Sequence, residues 1–130
     1  MKRILFIEDE QDIQEVAQLA LEAIGGYTVE VCSSGAEALD RVVEFAPDLI
    51  LLDVMMPDMD GPTTLKALRK MPETANTPII FMTAKSQARE IQRFKKLSTL
   101  DVITKPFDPM ALSDQIAGIF KNWTGNDAEV

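Results

Sequence analysis

The stretch Asp48-Leu49-Ile50-Leu51-Leu52-Asp53-Val54-Met55-Met56-Pro57-Asp58-Met59-Asp60-Gly61 constrains the fold more than any other part of the chain. A continuous apolar run, ended by an acid and then by a loop holding Pro57 and Gly61, reads as a strand buried on both faces with one carboxylate, Asp53, at its C-terminal tip. On this stretch alone Asp53 reads equally well as the opener of a turn, a common place for Asp after a strand. The rest of the chain decides between the two.

Lys2 to Ile7 is a second β-rich run stopped by acids, Glu8, Asp9 and Glu10. From Gln11 the apolar positions Ile13, Val16, Ala17, Ala20, Leu21 and Ile24 fall at helical spacing, and Gly25-Gly26 supplies the stop. Tyr27 to Cys32 is strand-like. Ser34 with Glu37 three residues on fits a capping box for a helix with Leu39, Val42 and Val43 inward, ending before Pro47. Beyond the Asp53 loop, Pro62 opens a helix with Leu65 and Leu68 inward, broken at Pro72. Pro78 to Met82 is a short buried strand ending on the hydroxyl of Thr83. A polar helix from about Ser86 to Leu97 has Ile91 and Phe94 as its main apolar contacts. Leu100 to Thr104 makes a fifth strand, closed by Lys105-Pro106. Asp108-Pro109 caps a last helix with Leu112, Ile116 and Ile119 facing in. Thr124 to Val130 has no apolar periodicity and reads as a frayed tail.

Five strands alternating with five helices predict an α/β domain, a doubly wound parallel sheet covered on both faces, because parallel neighbours need crossovers. In such a sheet ligands bind at the carboxyl ends of the strands. Glu8, Asp9, Asp53, Thr83 and Lys105 all stand there.

Composition narrows the chemistry. The 13 Lys+Arg against 21 Asp+Glu give a net charge of -8, the wrong sign for nucleic acid as a general partner. With no histidine, metal binding by imidazole, a histidine base and a phosphohistidine are all excluded. The lone Cys32 allows no internal disulfide and reads as a small buried apolar residue. The short apolar run after Met1-Lys2-Arg3 is neither a signal peptide nor a membrane span, so a cytoplasmic protein without membrane insertion is expected.

Three carboxylates in one crevice repel one another unless a cation sits among them or one is protonated. Oxygen ligands with room for water favour Mg²⁺. A carboxylate, that ion, a hydroxyl and an ammonium around one point are what phosphoryl transfer requires. The plainer reading makes Lys105 a buried neutralising partner and Thr83 a cap for the following helix. It accounts for either residue singly and poorly for all five together.

Ile7-Glu8-Asp9-Glu10, Leu51 to Gly61, Met82-Thr83-Ala84 and Thr104-Lys105-Pro106-Phe107 resemble, in order, the four signatures of the receiver domain of two-component response regulators, over roughly Lys2 to Lys121. The resemblance implies a flavodoxin-like sheet of order 2-1-3-4-5 and a receiver domain over residues 1–122, followed by a disordered tail over 123–130. It implies Asp53 as phosphoacceptor, with Thr83 and Lys105 binding the phosphoryl oxygens. It further implies Mg²⁺ held by Asp9, Asp53 and the backbone carbonyl of Met55, with Glu8 helping through water, and a cis Lys105-Pro106 bond. Met55 and Lys85, which border the path of attacking water in receivers, cannot orient one, so a long-lived phosphoryl group is expected. Two departures stand out. Ser98-Thr99 replaces a usual Gly-Ala pair, and Val102 replaces a usual aromatic residue. Val102 is too short and stiff to act as a rotor, so the signal is expected to pass through the loop from Ala84 to Ser86.

The expected function is therefore a single-domain response regulator resembling chemotaxis regulators. A sensor histidine kinase or a phosphotransfer protein donates to Asp53, and a downstream target protein is bound through the face of the fourth helix, fifth strand and fifth helix. The chain catalyses only its own phosphorylation and dephosphorylation. Passing the phosphoryl group on to a phosphotransfer protein and switching a target are equally open. The start at Met1 and the unpatterned end favour a complete protein over a receiver cut from a hybrid kinase. A small-molecule phosphohydrolase is the rival from another class. Such enzymes place a second acid two residues after the nucleophile, where this chain has Met55, and the chain is short for a substrate-capping domain. A degenerate, purely binding receiver is the third reading, opposed by the complete acid, hydroxyl and lysine set.

Overall fold

Strands buried on both faces must be sandwiched, and the computed structural model, which describes residues 2–84, 88–97 and 99–125, sandwiches them. Strands β1 (Arg3–Ile7), β2 (Thr28–Cys32), β3 (Leu49–Asp53), β4 (Ile79–Thr83) and β5 (Asp101–Thr104) form one parallel sheet in the order β2-β1-β3-β4-β5. Between and after them run helices α1 (Gln11–Leu19), α2 (Gly35–Phe45), α3 (Gly61–Lys70), α4 (Ala88–Lys95) and α5 (Leu112–Gly125). The sheet order and five-helix count are those expected.

The period of two along the strands sorts the core into two layers. Leu5, Ile7, Ile50, Leu52, Ile79 and Phe81 pack against Val42 and Phe45 of α2, Leu65 and Leu68 of α3, and Phe94 of α4. Ile4, Phe6, Leu49, Leu51, Ile80 and Met82 face the other way, onto Ala17 and Leu21 of the first helical segment and Leu112 and Ile116 of α5. Cys32 is fully buried, and burial pushes its thiol up to about 12, which keeps it protonated and inert.

Local chemistry sets most boundaries. Ser34 accepts from the Glu37 backbone N–H at 3.0 Å, as the capping box requires. Asp60 accepts from the Thr63 N–H at 2.9 Å and so begins α3, with Pro62 in its first turn. Ala46 ends α2 in the left-handed region, φ 52°, ahead of Pro47.

Several expectations needed correction. Val16, Ile24 and Val43, expected inside, are 44%, 48% and 46% exposed. Val43 lies one residue, hence about 100° around the helix, from the inward line of Ala38, Val42 and Phe45. Val16 flanks the inward Ala17–Leu21 line in the same way. Ile24 closes a π-helical turn, Ala20–Ile24, in which the Gly25 N–H reaches the Ala20 carbonyl at 3.3 Å. That wider winding rotates Ile24 away from the stripe that an unbroken α-helix predicts. Ile91 is only half-buried, and Phe94 is the buried residue of α4. The last helix starts at Leu112 rather than at Asp108: the Asp108 carboxylate accepts from the Met110 N–H at 2.9 Å and caps a preceding turn. That helix runs to Gly125. Residues 126–130, Ser86 and Ser98 lie outside the described residues.

The packing between β3 and α3 fixes the loop that carries Met55. A Cβ on Gly61 would stand 2.6 Å from the Asp53 carbonyl oxygen and 2.8 Å from Val54 Cα, both backbone atoms that cannot step aside. The Gly61 N–H also donates to the Val54 carbonyl at 2.9 Å. Gly61→Ala should therefore destabilise the fold by about 1–3 kcal/mol, the usual cost of overpacking. Urea unfolding measures it; a mutant as stable as the parent would show that the loop yields freely.

Candidate functional site

The parallel register aligns the strand ends, and with them four of the expected groups. Asp53 is the last residue of β3 and 2% exposed. Glu8 follows β1 directly, fully buried, its backbone N–H held by the Cys32 carbonyl at 3.0 Å. Thr83 ends β4, also fully buried, opposite Thr104 in the ladder with β5. Lys105 follows β5, its N–H donating to the Thr83 carbonyl at 2.7 Å and its bond to Pro106 cis, as the resemblance implies.

From that position the Lys105 side chain reaches back across the strand ends. Its Nζ donates to Glu8 Oε1 at 3.0 Å and stands 3.1 Å from Asp53 Oδ1. The second contact is a charge contact outside hydrogen-bond geometry, and Asp53 Oδ1 is buried without a hydrogen-bond partner. Glu8 Oε2 accepts from the Glu10 backbone N–H at 3.1 Å.

The electrostatics follow from burial. Loss of water raises the Glu8 carboxyl to about 7; the Glu10 N–H and Lys105 oppose the rise and the Asp53 charge adds to it. Burial likewise raises Asp53, opposed by Lys105 and the Met55 N–H and assisted by Asp9. Lys105 is raised as well: burial lowers it, but the two carboxylates outweigh burial.

Asp9 is exposed, yet one carboxylate oxygen each from Glu8, Asp9 and Asp53 lie within 4.8 Å of one another. This is the expected acidic trio. Met55, two residues past Asp53, has a 59% exposed side chain with no hydrogen-bonding group to offer. Lys85 lies outside the described residues, so the expected route through the loop from Ala84 to Ser86 does too. Val102 is half-buried and packs against the core layer beneath α4, whose Phe94 meets the edge of Phe81 with ring centroids 5.7 Å apart.

One feature next to the site escaped the sequence. A cleft of about 420 Å³ opens beside Lys105, with Ile13, Val16, Pro106 and Phe107 among its walls. Nothing in the sequence signals it, since Val16 shares the helical spacing of its buried neighbours and only the packing turns it outwards.

Residues 4–117 match the model of the response regulator receiver domain. The transcriptional regulatory protein DltR of Streptococcus agalactiae is 42% identical over 106 residues, 82% of this chain and 46% of DltR. The alkaline phosphatase synthesis transcriptional regulatory protein PhoP of Bacillus subtilis is 37% identical over 120 residues, 92% of this chain and 49% of PhoP. The chain thus spans about half the length of the curated relatives it matches. The chemotaxis response regulator CheY4 of Vibrio cholerae superposes with a TM-score of 0.83 at 29% identity, covering 92% of this chain and 98% of that one. The chain belongs to the response regulator receiver domain family.

Proposed function

We propose that Asp53 is the phosphoacceptor of a two-component relay and takes its phosphoryl group from the phosphohistidine of a sensor histidine kinase or a phosphotransfer protein. One observation carries this reading: a buried Asp53 carboxylate with an oxygen that accepts no hydrogen bond, 3.1 Å from the only cation that reaches it among the described residues. An Asp53 oxygen attacks phosphorus and the bond to the donor imidazole nitrogen breaks. The Lys105 ammonium and the Thr83 hydroxyl then serve the transferred oxygens. Lys105 suits this role because it is already desolvated and charged between two acids.

The residues present fit Mg²⁺. Glu8, Asp9 and Asp53 offer hard oxygen donors that converge within 4.8 Å, Asp53 Oδ1 meets only the Lys105 ammonium among the described residues, and exposed Asp9 leaves room for water ligands. The Met55 backbone carbonyl completes the proposed set. Bound there, the ion neutralises the acids and the charge on the incoming phosphoryl group.

The cleft beside Lys105 supports docking of the donor, since its apolar walls border the lysine that reaches Asp53. The output is proposed through the face of α4, β5 and α5, towards a downstream target protein rather than nucleic acid. The single buried anchor of α4, Phe94, suits an element that takes two positions. The chain acts on itself and is not a turnover enzyme: Met55 stands where a phosphohydrolase needs a second acid.

Acetyl phosphate with Mg²⁺ should add one phosphoryl group by intact mass, and Asp53→Asn should add none. Asp9→Asn should bind Mg²⁺ about tenfold or more weakly by titration, having one charged ligand fewer, and should phosphorylate more slowly. A phosphorylated Asp53→Asn chain would sink the assignment; parental Mg²⁺ affinity in Asp9→Asn would place the ion elsewhere.

The raised carboxyls also give a pH signature. The folded chain holds the Glu8 proton up to about 7 while the unfolded chain releases it near 4.5. The folded state therefore binds more protons across that window, and metal-free protein should lose stability as pH rises through it. Asp53 shifts in the same sense. Lys105 stays charged throughout and contributes no slope. Saturating Mg²⁺ should flatten the loss. Thermal melts in chelator and in Mg²⁺ test this, and a metal-free stability that climbs over the same window would refute the account.

A further inference from the structure

The chain has a net charge of -8, yet its cations are gathered on one wall. Helix α3 carries Lys66, Arg69 and Lys70 and no acid; residues 88–97 carry Arg89, Arg93, Lys95 and Lys96 against Glu90 alone. Seven of the 13 Lys+Arg therefore lie on two neighbouring helical segments.

Between these segments runs a groove of about 350 Å³. Pro62, Leu65 and Leu97 supply its apolar lining, and Lys66, Lys70 and Lys96 stand around it. Arg69 is at its base, tied to the carbonyls of Thr74 and Thr77 at 2.9 and 2.7 Å, so that it holds the turn after α3 while adding its charge.

Cations in the last turn of a helix have an ordinary cause, since they offset the negative end of the macrodipole. That covers Arg69, Lys70, Arg93 and Lys95. It covers Lys96 as well, whose N–H still donates to the Gln92 carbonyl at 3.3 Å, but not Lys66, in the middle of α3. Arg93 and Lys95 have acid partners, Glu90 at 3.5 Å and Asp101 at 3.6 Å. Among the described residues, Lys66, Lys70 and Lys96 have no carboxylate within ion-pair distance. They stand exposed around an apolar floor in a chain that is otherwise strongly acidic.

We infer that this groove docks an acidic amphipathic segment of a partner protein, with aliphatic side chains on Pro62, Leu65 and Leu97 and carboxylates facing Lys66, Lys70 and Lys96. The apolar floor argues for a protein segment over a phosphate backbone, which has nothing to bury there. The overall negative charge opposes a long polyanion while leaving a local carboxylate match intact. The groove lies on the α3 side of the α4 segment and so borders the proposed output face, and its Pro62 adjoins Gly61, which is packed on the Asp53 backbone.

The test uses the whole chain and a fluorescein-labelled helical peptide of Leu, Ala and Glu, with Leu at i, i+3, i+4 and i+7. Anisotropy should report binding that weakens with added salt, and amide shifts should concentrate on Leu65, Lys66, Lys96 and Leu97. The triple variant Lys66→Glu, Lys70→Glu, Lys96→Glu should bind at least about tenfold more weakly, the combined effect of three exposed charge contacts. It should still accept a phosphoryl group from acetyl phosphate, because none of the three belongs to the phosphoacceptor site. Leu97→Ser should also weaken binding, now without changing its salt dependence. Equal binding of a matched peptide with Lys in place of Glu would overturn the inference. So would shifts confined to other surfaces, or tighter binding of a short DNA duplex or of phosphatidylglycerol vesicles.

Discussion

One ammonium between two buried carboxylates is the interaction on which the rest depends. Lys105 Nζ lies 3.0 Å from Glu8 and 3.1 Å from Asp53, while Asp9 brings a third acid to the same place. Burial raises the Glu8 carboxyl to about 7, the Asp53 charge adds to the rise, and Lys105 and the Glu10 N–H only partly oppose it. The site is therefore built with a deficit of positive charge. A divalent cation and a phosphoryl group in the grip of Lys105 are two ways for chemistry to enter that deficit.

The sheet makes so strained a grouping possible. Four of the five strands bring a group to the same edge because their parallel register aligns their ends, and each strand is fixed by apolar neighbours on both faces. Moving one strand by a residue would turn its buried side chains to the opposite layer, so the acids cannot relax apart by slipping. On the α3 side Gly61 lets the helix start against the Asp53 backbone. The α4 side is held by the edge-on contact of Phe94 with Phe81. The rigid part of the molecule thus holds the acids, and the lightly anchored part lies beside Thr83.

How far the sequence could be read depended on how buried each element is. The runs around Leu5, Leu51 and Ile80 admit one interpretation, since residues apolar on both faces must be central strands. Glu8, Asp53, Thr83 and Lys105 were legible for the same reason, as polar groups that close such runs. Half-buried helices were less legible. Val16, Ile24 and Val43 are as apolar as their buried neighbours, and only the rotation of each helix against the sheet decided that they face outwards. The π-helical turn was illegible because nothing in its local periodicity marks it, and its contacts include Ser113, which lies far away in sequence and donates to the Ala20 carbonyl at 3.3 Å.

The sequence alone determined the element order, the two-sided burial of the strands and the residues at their tips, because all of these follow from local periodicity and from the chemistry of strand and helix ends. Only the tertiary structure decided that Lys105 spans to both Glu8 and Asp53, that one oxygen of Asp53 is left without a hydrogen bond, and that Lys66, Lys70 and Lys96 surround one groove. These are distances between residues dozens of positions apart, set by how the crossovers bring the strands and helices side by side, and no local pattern encodes them.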